Sequence, residues 1–315
     1  MASPLFENAS VKAARDMFGR EAEAHELADR LPDLMLEGVR ISNTVVHGAH
    51  GRKRAGPGET FWQFRQYQTG DTMQQIDWRR SASSDHLFIR EREWEAAHTV
   101  WLWPDISKSM AFRSHLSQVY KSDRALVLMF ALVEMLVRAG ERTALMGLTN
   151  PSVSRKTTTR MAEMLAANLK ASGLTSSMPP PQRVARFSSI VWISDFLDPI
   201  DALAKRVDEL AASGSRGHLV QVLDPAEETL PYSGRVEFIG VEDGTQWLSD
   251  RAETLRDAYQ RRLAEHRAGL QDLARRNGWS FVVHHTDRSA ADTLLQLNMR
   301  LRGEPMPKDK TEAPS

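Results

Sequence analysis

Two short stretches hold residues able to do chemistry together. Trp103-Pro-Asp105-Ile-Ser107-Lys-Ser109-Met110 closes one apolar run, and Val191-Trp-Ile-Ser-Asp195-Phe closes another. In the first, a carboxylate and two hydroxyls alternate. Such oxygen donors converge on a hard cation, and Mg²⁺ takes hydroxyls, waters and one or two carboxylates in near-octahedral geometry. The same residues also suit a turn in which Asp105 caps the backbone that follows. If Asp195 comes near Asp105, the two carboxylates repel each other and a pKa rises unless a cation neutralises them. Taken alone, Asp195 also suits an N-cap or a turn ahead of Pro199. Thr157, Thr158 and Thr159 precede a helical segment, where any of them can supply a further hydroxyl or cap the helix.

Other candidates carry less. His47-Gly-Ala-His50 and His284-His285 have no Asp or Glu at metal spacing, and neighbours in a strand point to opposite faces. Arg52-Lys53-Arg54 among glycines suits either a phosphate or a solvated loop. The chain has no Gly-x-x-x-x-Gly-Lys-Ser/Thr loop, no Gly-x-Gly-x-x-Gly after a strand, no Gly-x-Ser-x-Gly elbow and no His-Glu-x-x-His. It has no cysteine, which excludes a thiol nucleophile, disulfides, iron–sulfur clusters and thiolate zinc sites. Catalysis has no positive support, and the expectation is a protein that is not an enzyme.

The elements that must position these residues follow from periodicity. Apolar runs at Thr99–Trp103, Thr143–Leu148, Ile190–Ser194, His218–Leu223 and Phe281–His285 read as strands. Amphipathic segments at about 121–139, 159–171, 199–212, 248–277 and 290–301 read as helices, with Gly140 and Gly278 at C-cap positions. Strand–helix alternation predicts an α/β fold with a doubly wound, mostly parallel sheet. In such sheets ligands sit beyond the carboxyl ends of the strands, where the strand order reverses. Val236–Ile239 and Thr245–Leu248, around Glu242-Asp243-Gly244, predict an inserted hairpin. Residues 10–37 read as a helix, and 61–98, dense in aromatics, as short strands and turns.

The 315 residues imply about two domains at roughly 150 residues each. The expected division is 1–95, a smaller irregular unit; 96–302, the α/β domain; and 303–315, a disordered tail. Trp62, Trp78 and Trp94 are expected to build the core of the first unit, with Asp77 and Arg79 partly buried and paired. Forty-one basic residues balance forty-one acidic ones, which argues against nucleic-acid binding by bulk charge and leaves only a local patch, Arg52–Arg54 with the aromatics of 61–78, as the least favoured reading. The most apolar run, Ala125–Val137, is interrupted by Glu134 and falls short of the ~20 residues of a bilayer span. The first thirty residues lack the apolar core of a signal peptide. A cytoplasmic protein is the expectation.

Gly56-x-Gly58-Glu59, Arg65-x-Tyr67-x-x-Gly70-Asp71, Ile76-Asp77-Trp78-Arg79-x-Ser81-Ala82 and Arg90-Glu91 together resemble the signature of the bacterial family called domain of unknown function 58. Asp105-x-Ser107-x-Ser109-Met110 and Ile193-Ser194-Asp195-Phe196 match it as well, so the resemblance spans about residues 40–300. It implies a von Willebrand factor A-like domain, a Rossmann-like sheet with a metal-ion-dependent adhesion site. Asp105, Ser107 and Ser109 match the metal motif and Asp195 its second acidic position; the threonine position falls within Thr157–Thr159, with Thr158 at its centre. The cofactor implied is Mg²⁺. The partner implied is a MoxR-type AAA+ ATPase, with an adaptor role in assembly or activation of other proteins.

The chain departs from the family pattern in three ways. The two membrane-spanning helices that begin many members do not occur, so no integral membrane segment is expected. Gly70-Asp71-Thr72-Met73-Gln74-Gln75 replaces the usual Gly-Asp-Asp/Glu-Pro-Arg, and Ser81-Ala82-Ser83 the usual Ser-Ala-Arg. Two arginines are thereby missing. The leading expectation is a non-enzymatic, metal-dependent interaction module. The alternative is a Mg²⁺-dependent phosphoester hydrolase using the strand-end carboxylates, against which Ser107 stands where such enzymes place a second acid.

Overall fold

The computed structural model describes residues 4–301 apart from 50–60, 69–72, 74–75, 85, 93–97, 174–175 and 241–244, with backbone only at 4–21, 47–49, 61–65 and 90–92. In chain order come α1 (Pro4–Ala49), β1 (Phe61–Gln66), α2 (Trp78–Ser81), β2 (Phe88–Arg92), β3 (Thr99–Pro104), α3 (Lys121–Arg138), β4 (Arg142–Leu145) and α4 (Thr157–Ser172). Then follow β5 (Ser189–Ser194), α5 (Ile200–Ala211), β6 (Arg216–Leu223), α6 (Pro225–Thr229), β7 (Val236–Ile239), β8 (Gln246–Ser249), α7 (Arg256–Arg276), β9 (Ser280–His285) and α8 (Ala290–Leu301). The chain divides into two compact units, one of Met1–Gly48 with His98–Ser315 and one of Ala49–Ala97.

The larger unit is a mixed α/β structure on a five-stranded sheet ordered β4-β3-β5-β6-β9, with every pairing parallel. Both faces are covered, so the strands are apolar on both sides. Val100, Leu102, Val191 and Ile193 join the core shared with α1, α3, α4 and α8. Their alternates Trp101, Trp103, Ile190 and Trp192 join the core shared with α5 and α7. The chain enters at β3, places β4 on one side and β5 on the other. The order therefore reverses between β3 and β5.

Nearly all of α3 is buried, because α1 covers the side that the sheet does not. Ala24, Leu27, Ala28, Leu31, Leu34 and Val45 form the helical stripe that does so. Gly38 lets the two helices approach closely: a Cβ there would meet Phe130 Cβ at 2.9 Å and Ala131 N at 3.0 Å. The expected helix 10–37 is thus longer, and it belongs to the larger unit instead of to an N-terminal one. At the other end of α3, Gly140 has φ +85°, with Gly140 N donating to Val137 O at 3.1 Å and Glu141 N to Leu136 O at 2.9 Å. These two bonds make a Schellman cap.

The expected hairpin forms, Phe238 pairing with Trp247. Its second strand and a 3-10 turn, Ala252–Leu255, take up residues expected to begin the long helix, so α7 starts at Arg256.

In the smaller unit β1 and β2 pair antiparallel, and Ile76 bridges Ile89. Asp77 is half-buried, but its carboxylate accepts the Arg80 N–H at 3.0 Å as the N-cap of α2, and Arg79 is exposed. Trp78 is 62% exposed. The inward residue of this one-turn helix is Ser81, whose hydroxyl donates to Asp77 O and accepts from Phe88 N. The expected Asp77–Arg79 pair and Trp78 anchor are therefore not formed. The side chains of Trp62 and Trp94, the stretch 50–60 and the tail 303–315 lie outside the described residues.

Candidate functional site

β3 runs one residue past its ladder, Asp105 N donating to Ile193 O at 2.8 Å, and so delivers the Asp105 side chain at the reversal of strand order. Asp105 is fully buried. One carboxylate oxygen accepts the Ser107 N–H at 2.8 Å; the other accepts the Ser194 hydroxyl at 2.6 Å. The turn alternative from the sequence is thereby realised without removing Asp105 from the cluster. Ser107 opens a 3-10 turn anchored by buried Met110, and its hydroxyl lies 3.2 Å from that of Ser109. Burial, and then the charge of Asp195, push the Asp105 carboxyl up to about 7.

Asp195 directly follows β5 and is also buried. The next residue, Phe196, has φ +53° and is buried against Trp192, which turns the chain sharply after the carboxylate. Asp195 is not left to face Asp105 uncompensated. Lys121, the first residue of α3, reaches Asp195 Oδ2 at 2.9 Å and Glu227 Oε1 at 2.6 Å, with its own side chain 1% exposed. Burial works against the Lys121 ammonium, but Asp195 and Glu227 outweigh it and its pKa is raised. Glu227 in turn accepts the Asp224 N–H at 2.8 Å as the return bond of a capping box on α6, and the Asp224 carboxylate also accepts Ala226 N at 2.9 Å. Asp224, at the end of β6, also accepts both the backbone N–H and the hydroxyl of Ser114.

Asp105, Ser107, Ser109 and Asp195 are therefore brought to one edge of the sheet, and Thr158 is not. The chain after β4 doubles back, with Ser152 bridging Thr143 antiparallel, before α4 begins. The Thr158 hydroxyl donates to Glu134 at 3.1 Å. Glu134 lies thirteen residues along α3 from Lys121, roughly 20 Å at 1.5 Å per residue. Thr157 donates to Ser152 and Thr159 is exposed, so none of the three threonines reaches the cluster.

Sequence reasoning missed Lys121, Ser194, Asp224 and Glu227. The one available signal was Lys121-Ser-Asp-Arg124, four polar residues heading the most apolar helix, all of them buried. His285 also has an acidic partner, Glu228 at 2.8 Å, which Arg267 grips with both terminal guanidinium nitrogens, holding its carboxyl down to about 2. His284 is buried against the Thr293 hydroxyl.

The donor set suits a hard cation on one side only. Two hydroxyls 3.2 Å apart match a cis edge of an octahedron with bonds of about 2.1 Å. Among the described residues no three carboxylates and imidazoles form a metal cage. Asp105, Ser107 and Ser109 fit Mg²⁺; Asp195 is engaged by Lys121 and Thr158 stands elsewhere.

Among curated proteins, the chain is 27% identical over 301 residues to uncharacterized proteins of Mycobacterium tuberculosis and Mycobacterium bovis, covering 88% of this chain and 91% of theirs. Among solved structures it is similar to the conserved hypothetical protein BatB of Bacteroides thetaiotaomicron, at TM-score 0.40 and 15% identity over 66% of this chain and 100% of that one. An aerotolerance-related membrane protein of Bacteroides fragilis matches at TM-score 0.37 and 16% identity, with the same coverage. The cytoplasmic expectation is corrected to no assigned compartment, the Bacteroides fragilis protein being described as a membrane protein. Among the described residues no helix is long and apolar enough to cross a membrane. The family model described as protein of unknown function DUF58 matches residues 63–269, two thirds of the sequence, and the chain belongs to that family.

Proposed function

We propose that this chain is a non-enzymatic interaction module with a von Willebrand factor A-like domain. In this reading it serves as an adaptor for a MoxR-type AAA+ ATPase or its client, in the assembly or activation of other proteins. The observation that carries the proposal is the Ser107–Ser109 hydroxyl pair beside buried Asp105 at the reversal of strand order. A Mg²⁺ ion held by Asp105, Ser107 and Ser109 would offer open positions to a partner's Asp or Glu, and hydroxyl donors would leave it electrophilic toward that carboxylate. The chain supplies the rest. Ser194 and the Ser107 N–H fix the Asp105 carboxyl, buried Ile106 and Met110 hold the turn, and Lys121 removes the burden of a second bare carboxylate. The ATPase pairing rests on the family resemblance.

Melting curves test the metal. An ion binding only the folded state adds RT ln(1 + [L]/Kd), about 2.7 kcal/mol at a hundredfold excess over Kd. Wild-type Tm should therefore rise with Mg²⁺. Asp105→Asn, which keeps shape and loses charge, should abolish the rise. A wild type indifferent to Mg²⁺ sinks the metal-bridged mechanism.

A further inference from the structure

We infer that Lys121 is the resident cation of the second acidic position, and that by holding Asp195 and Glu227 it confines any divalent ion to Asp105, Ser107 and Ser109. The inference rests on the metal reading above. A fully buried ammonium is expensive unless its charge is matched and its donors are used. Here the match is close: 2.9 Å to a carboxylate at the end of β5, 2.6 Å to one on α6, and the Phe112 ring 5.7 Å away. The lysine thus ties together two carboxylates from separate elements. A divalent ion drawn to Asp195 would share a carboxylate with an ammonium already in hydrogen-bond contact, and the two cations would repel across a poorly screened interior. Removing the ammonium while keeping an aliphatic stem leaves buried Asp195 and partly buried Glu227 without a counter-charge. That vacated position is then the strongest cation trap on this edge.

The test is Mn²⁺ titration of the full chain as wild type, Lys121→Met, and Lys121→Met with Asp195→Asn. Lys121→Met should bind Mn²⁺ at least tenfold more tightly than wild type, and the double variant should fall back to within about threefold of wild type. An unchanged or weaker affinity in Lys121→Met overturns the assignment, as does a gain that survives in the double variant. A wild type that binds no Mn²⁺ beside a Lys121→Met that does removes the native metal site and upholds the role of Lys121. If Lys121→Met does not fold, the wild type still answers through nitrogen-15 NMR of its side-chain ammonium groups. A slowly exchanging Lys121 signal should persist from metal-free to Mg²⁺-saturated protein. Its absence, or its loss as Mg²⁺ is added, overturns the proposal.

Discussion

Asp105 couples the site to pH. Its carboxyl is raised by burial, and next by Asp195, to about 7 from an ordinary 3.8, so between those values the folded chain holds a proton that the unfolded chain releases. Its contribution to stability is then fully present below pH 4 and is lost as pH rises through 7. Asp123, raised by burial to about 6, acts in the same sense, so the wild type alone does not isolate Asp105. Glu228 works oppositely, its stabilisation fading only as pH falls from about 4.5 toward 2. Asp105→Asn removes one member of this set without changing its volume. In chelator, denaturant unfolding of the wild type should weaken from pH 5 to pH 8 more steeply than that of the variant, by on the order of a few kcal/mol at most. Parallel pH profiles would refute the buried, proton-holding Asp105.

Among the elements, β6 and β9 are registered by a close approach. A Cβ on Gly217 would stand 1.9 Å from the Trp279 ring, which is buried as it leads into β9. Gly217→Ala must therefore displace the indole. A loss of about 1–3 kcal/mol is expected, with altered tryptophan fluorescence; an unperturbed melting curve would contradict the contact. The five core strands were legible in the sequence because short, largely apolar runs alternate with amphipathic segments, as in a parallel sheet covered on both faces. Asp105 and Asp195 were legible as strand-end residues for the same reason. What was not legible is set by tertiary contact. A lysine at a helix start normally reads as a solvated charge, and only the meeting of β5 with α6 makes Lys121 a buried one. Thr158 looked like a ligand because sequence order does not reveal that the chain after β4 doubles back. Trp78 looked like a core residue because an aromatic's size says nothing of which side of a one-turn helix faces inward.

On the scale of the molecule, charge is balanced in sum and organised in place. Three adjacent strands, β3, β5 and β6, are each followed directly by an aspartate, Asp105, Asp195 and Asp224, and α6 adds Glu227 and Glu228. Lys121 answers Asp195 and Glu227, Arg267 and His285 answer Glu228, and backbone and serine donors satisfy Asp224. With net charge zero, the chain as a whole exerts no net long-range attraction on a charged partner. A partner recognised through a coordinated carboxylate should instead depend steeply on the cation and weakly on bulk salt. The measurement is capture of a purified MoxR-type ATPase by the purified full chain. In Mg²⁺, binding should change less than about threefold between 50 and 200 mM salt, since only screened surface charges respond over that range. Chelator and Asp105→Asn should each weaken it at least tenfold, and in the variant, chelator should add nothing further. Binding that survives chelator would end the metal-bridged mechanism and keep the pairing. A wild type that does not bind the ATPase in Mg²⁺ would end the adaptor role, whatever the metal does.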